Sequence, residues 1–127
     1  MNSAHASILV GWVTMVGGVI SGSIIGLFFH NADWLGGYTS FRRRMVRLAH
    51  ISCFGIGFLN VLFGLTAASI PLDADIARVG SVALLIAAVA MPANCLLTAW
   101  RAPFRHFFFV PVLAATTGIL SILAGWR

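Results

Sequence analysis

Residues Ile8–Phe29 read ILVGWVTMVGGVISGSIIGLFF, and this uncharged stretch of 22 residues decides the fold class. A helix needs about 20 apolar residues to cross the hydrocarbon core of a bilayer. Comparable apolar stretches follow at 45–69, 77–100 and 104–126. The sequence therefore predicts an all-α, polytopic membrane protein, in which a bundle of four transmembrane helices forms a single integral membrane domain over residues 1–127.

The composition agrees with this fold class. Hydrophobic residues make up 60% of the chain and charged residues 9%, whereas soluble proteins carry about 25% charged residues. The chain contains no Lys and no Glu, and its arginines form no basic face, so a nucleic-acid partner is not indicated. We expect its partners to be the lipid bilayer and either other membrane-protein subunits or further copies of the chain.

The arginines are distributed unequally between the two ends of the predicted helices. Six lie in or beside the loops at 30–44 and 101–103, namely Arg42, Arg43, Arg44, Arg47, Arg101 and Arg105. Arg78 and Arg127 lie at the opposite end. Because cytoplasmic loops are enriched in basic residues, we predict that both termini face the outer, periplasmic side of a bacterial inner membrane.

Three histidines on three different helices fall at the arginine-rich end. They are His30, His50 and His106. Two imidazoles from facing helices of a bundle can ligate a haem through its axial positions. The sequence therefore predicts a b-type haem between His50 and His106, with His30 nearby and with Arg47 or Arg105 pairing with the propionates, as Arg43 and Arg44 could also do.

The same residues allow other interpretations. A transition-metal ion could instead be bound by His30, His50 and His106, because imidazole suits zinc, copper and iron, and Asp33 could add an oxygen ligand. The histidines could also be interfacial side chains without a ligand. The four phenylalanines around Arg105 and His106 could dock a quinone ring or a partner protein.

These observations lead to one functional expectation and two alternatives. We expect a small membrane subunit of an electron-transfer or respiratory-type complex rather than a stand-alone enzyme, because no nucleophile–base pair or phosphate loop is present. The alternatives are a cofactor-free scaffold or assembly subunit and a small oligomeric transporter. The transporter is less expected, because no predicted span contains a carboxylate that could carry a proton. The interior histidine pair resembles membrane cytochromes b and the halves of haem A synthase in architecture, with no motif in common.

Overall fold

The protein is all-helical in the computed structural model, which describes residues 2–125. Four long helices follow one another, and short 3₁₀ segments (Trp34–Gly36 and Ala102–Phe108) lie in the two loops at one end. Each long helix, the fourth together with its preceding 3₁₀ segment, is long and apolar enough to span a membrane. The helices are α1 (Ser3–Phe28), α2 (Phe41–Ser69), α3 (Ala74–Trp100) and α4 (Phe109–Gly125).

Polar capping residues extend the first three helices beyond their apolar stretches. The side chains of Asn2 and Ser40 accept hydrogen bonds from backbone N–H groups in the first turns of α1 and α2, at 2.9 and 3.1 Å. Asp73 caps α3 in the same way. Because such caps satisfy donors that lack helical partners, these helices begin three to five residues before the predicted starts at 8, 45 and 77.

The fourth helix differs from the prediction at its start. The residues from Ala102 to Phe108, which were expected to open an α-helix at 104, form a 3₁₀ segment instead. The Asn94 side-chain amide, in the orientation that satisfies both of its groups, donates to the Phe104 carbonyl (2.9 Å) and accepts from the Phe108 N–H (3.0 Å). This hydrogen bonding holds the segment against α3. The predicted end at Trp126 lies outside the described residues.

The helices pack in chain order, α1 on α2, α2 on α3 and α3 on α4, with smaller α1–α3 and α2–α4 contacts. Glycines on both helices allow the close α1–α2 contact. A Cβ added at Gly11 would lie 2.6 Å from the Gly57 carbonyl oxygen, and one at Gly64 would lie 2.6 Å from the Ala4 carbonyl oxygen. Such close approach of two backbones is the usual way in which membrane helices associate.

Buried polar side chains also connect neighbouring helices. Asn60, fully buried on α2, donates from Nδ2 to the Leu84 carbonyl of α3 at 3.1 Å. The hydroxyls of Ser7 on α1 and Ser81 on α3 lie 2.8 Å apart. These hydrogen bonds satisfy donors that would be costly to leave unpaired in an apolar interior.

The outer surface of the four helices is apolar. Large side chains such as Leu27, Val89 and Leu123 are each about 70% exposed. Apolar surface on this scale is unusual on a soluble monomer. Together with the four long apolar helices, it indicates a multi-pass membrane protein.

Candidate ligand site around His50

A cavity of about 470 Å³ lies between α1, α2 and α3 near the arginine-rich loops. Its wall is predominantly apolar and includes the indole rings of Trp34 and Trp100. The polar side chains in the wall are those of Ser21, His50 and Cys53. A few polar groups in a mostly apolar cavity of this size are typical of a small-molecule site.

The imidazole of His50 is held firmly against α1. Its Nδ1 lies 2.9 Å from the Gly18 carbonyl oxygen and 3.2 Å from Ser21 Oγ. The ring also packs edge-on against Phe54, with centroids 5.4 Å apart. This position requires Gly22, because a Cβ at that residue would lie 2.5 Å from His50 Cε1.

These contacts assign the proton on the imidazole. A carbonyl oxygen can only accept a hydrogen bond, so Nδ1 carries the proton that faces Gly18. Ser21 Oγ donates to the same carbonyl at 2.9 Å and can therefore accept from Nδ1 as well. In the neutral ring Nε2 then has a free lone pair, and no hydrogen bond joins it to any residue in 2–125. Anchoring of Nδ1–H by a carbonyl is the arrangement that orients Nε2 for a ligand.

The loop that closes this end of the cavity is organised by Arg43. The side chain is fully buried, and its Nη atoms donate to the carbonyls of Phe29 and Asn31 at 3.1 Å each. Its Cζ lies 3.9 Å from the ring centroid of Tyr38 and 5.4 Å from that of Trp34. The positive charge is thus stabilised by backbone carbonyls just beyond the end of α1 and by aromatic faces, both of which favour cations.

The loop backbone adopts a constrained shape next to the cavity. Leu35 has a φ of 55° and is followed by Gly36 and Gly37, which also have positive φ. A left-handed conformation is costly for leucine, so other contacts must hold it. Ser40 Oγ supplies one by donating to the Leu35 carbonyl at 2.7 Å. As a result, the Leu35 side chain forms part of the cavity wall.

The other predicted site residues do not join His50 in this cavity. His30 follows α1 and His106 lies in the second 3₁₀ segment; both are exposed and neither lines the wall. Arg47 and Arg105 are also exposed and outside the wall. Within residues 2–125, no group of three His, Cys, Asp or Glu side chains is placed to hold a metal ion, and the predicted oxygen donor Asp33 is exposed.

The structure also reassigns Arg43 and adds Ser21 to the site. Arg43 was a candidate partner for propionates, but its Nη atoms are committed to backbone carbonyls. Its sequence signal is its spacing of seven residues before His50, which places both on one face of α2. Ser21 gave no comparable signal, because its role depends on a contact across 29 positions of sequence.

Comparison with protein-family models, with curated proteins and with solved structures gives no match to this chain.

Proposed function

We propose that this chain is an integral membrane protein whose two termini face the outer side. Four apolar helices and an apolar outer surface support insertion. The orientation rests on the arginines, because Arg42 donates to the Ala99 carbonyl and so places the α2 start beside the α3 end. The arginine-rich loops of both helices therefore share one end, which the positive-inside rule assigns to the cytoplasm.

Within that membrane, the proposed role is a small subunit of an electron-transfer assembly that binds a quinone-class ring beside His50. The observation that carries this proposal is the anchored imidazole in a predominantly apolar cavity of about 470 Å³. A quinone ring is neutral and planar, so it suits apolar walls with few polar groups. Nε2 of His50 would accept a hydrogen bond from a quinol hydroxyl, and the aromatic walls would contact the ring face.

A b-type haem fits the cavity less well than a quinone does. His50 has the anchored geometry of an axial ligand, but the second proposed ligand, His106, does not line the same cavity. The wall also contains no arginine that could pair with propionates. A haem held by two imidazoles of one chain therefore lacks support. Haem bound through His50 alone would be detected by the reduced-minus-oxidised spectrum described below.

The test is titration of the protein in detergent micelles with a quinol, the reduced form, because Nε2 can accept a hydrogen bond from its hydroxyl. Trp34 and Trp100 line the cavity, so a bound short-tailed benzoquinol should change tryptophan fluorescence in a saturable way. The His50→Ala variant is expected to bind about fivefold to tenfold more weakly, since one hydrogen bond contributes about 1 kcal/mol. The matched His106→Ala variant, which alters an exposed imidazole, should bind like the wild type.

Four results would contradict the quinone proposal. A non-saturable titration of the wild type, or equal binding by the His50→Ala variant, would remove it. A reduced-minus-oxidised spectrum with a haem α-band that is lost in His50→Ala would replace the quinone with haem. If neither ligand bound, and a larger complex co-purified with both the wild type and the His50→Ala variant, the result would favour the cofactor-free scaffold.

A further inference from the structure

A groove lies beside the His50 cavity, at the arginine-rich end. This groove has a volume of about 660 Å³ and runs between the start of α2 and the end of α3. Leu35 and Trp100 line both the groove and the cavity, so the two spaces share a wall. In contrast to the cavity, the groove contains a cationic side chain, that of Arg42.

The guanidinium of Arg42 is positioned by α3. Its Nε donates to the Ala99 carbonyl at 3.2 Å, near the C-terminal end of that helix. No hydrogen bond from Nη1 or Nη2 to a residue in 2–125 accompanies it. A guanidinium fixed through Nε presents its other donors as a pair, which is the geometry that binds phosphate oxygens.

Two aromatic side chains and a buried hydroxyl group lie beside this guanidinium. Phe41 and Trp100, which are 41% and 62% exposed, line the groove. Thr98 also lines it, and within residues 2–125 its buried hydroxyl has no hydrogen-bond partner. A cationic donor site flanked by exposed aromatic rings matches a molecule that has both an anionic head and apolar chains.

The surrounding charge favours an anionic molecule as well. Five exposed arginines lie at this end of the helices, whereas its single carboxylate is that of Asp33. Basic pockets between transmembrane helices on the cytoplasmic side bind anionic lipid headgroups. The five exposed arginines are Arg42, Arg44, Arg47, Arg101 and Arg105.

We propose that this groove binds one anionic phospholipid, with its phosphate on Arg42 and an acyl chain against Phe41 and Trp100. The lipid lies beside the mouth of the His50 cavity, because Trp100 belongs to both walls. This inference rests on the proposed membrane insertion but is independent of quinone binding at His50.

Native mass spectrometry of the protein released from micelles tests the proposal. Phosphatidylglycerol and phosphatidylcholine are titrated separately, and the wild type is expected to bind the anionic lipid about tenfold more tightly. The Arg42→Gln variant should bind phosphatidylglycerol about fivefold more weakly than the wild type, since an arginine at a membrane surface contributes about 1 kcal/mol. Arg105→Gln, which removes an exposed charge at the same end, and Arg78→Gln at the opposite end should each change it less than twofold.

Each alternative result overturns a defined part of this inference. Equal losses in Arg42→Gln and Arg105→Gln would show diffuse attraction to the basic end rather than a groove. Displacement of phosphatidylglycerol by inorganic phosphate would show an anion site without a lipid requirement. Equal binding of both lipids, or binding of neither, would reject the anionic-lipid groove and leave the proposed insertion unaffected.

Discussion

Replacement of Arg43 by alanine is expected to lower the free energy of unfolding by about 3–5 kcal/mol, the range of a lost buried polar network. The variant removes the Nη donors from the carbonyls of Phe29 and Asn31, which then keep the Tyr38 hydroxyl and the Trp34 N–H as their respective donors. It also empties the space between the aromatic rings of Tyr38 and Trp34. The loop between α1 and α2 should then lose its fixed shape while the four helices remain.

Denaturation of the variant in mixed micelles, followed by circular dichroism, measures this loss. Arg44→Ala is the matched control, because the neighbouring side chain is exposed and its removal should change the unfolding free energy by less than about 0.5 kcal/mol. Arg43→Lys retains the charge but cannot reproduce the planar arrangement of donors, so it should fall between the two. Equal stability of the Arg43→Ala and Arg44→Ala proteins would contradict a structural role for the buried guanidinium.

Replacement of Gly22 by alanine should displace the imidazole of His50 and weaken ligand binding by at least about tenfold. The added Cβ would lie 2.5 Å from His50 Cε1, so the ring must move away from α1. That movement breaks the 2.9 Å hydrogen bond between Nδ1 and the Gly18 carbonyl. Such overpacking should also lower the free energy of unfolding by about 1–3 kcal/mol.

The quinol titration described for His50→Ala measures the Gly22→Ala effect under the same conditions. Gly26→Ala is the matched control, since it lies one turn farther along α1 and an added Cβ there meets no atom of another helix within 4 Å. Quinol affinity in Gly26→Ala should equal that of the wild type. If Gly22→Ala also retained wild-type affinity, the position of the His50 ring would not determine ligand binding.

The sequence was sufficient to predict the four helices. Long apolar stretches can bury their backbone groups only as helices when they cross a membrane, so α1 to α4 follow from hydropathy. The interior position of Asn60 on α2 agrees with the cost of an unpaired amide in apolar surroundings.

The arrangement at the arginine-rich end depends on contacts that periodicity does not encode. His106 lies outside the cavity because the wall is formed by α1, α2, α3 and the first loop, whereas His106 belongs to the 3₁₀ segment that the Asn94 amide holds against α3. The spacing of Arg43 from His50 places both on one face of α2, but the aromatic and carbonyl partners of Arg43 come from the loop and the end of α1. These contacts are fixed by tertiary packing, which overrides local preference.

The ¹⁵N resonances of the histidine side chains test the role of His50 most directly. In histidine-labelled protein we predict that His50 carries its proton on Nδ1, and that a quinol shifts its Nε2 resonance while those of His30 and His106 stay unchanged. A proton on Nε2 in the ligand-free protein would contradict the hydrogen bond from Nδ1 to Gly18. A quinol-induced shift confined to His30 or His106 would place the site elsewhere and contradict the assignment of the cavity.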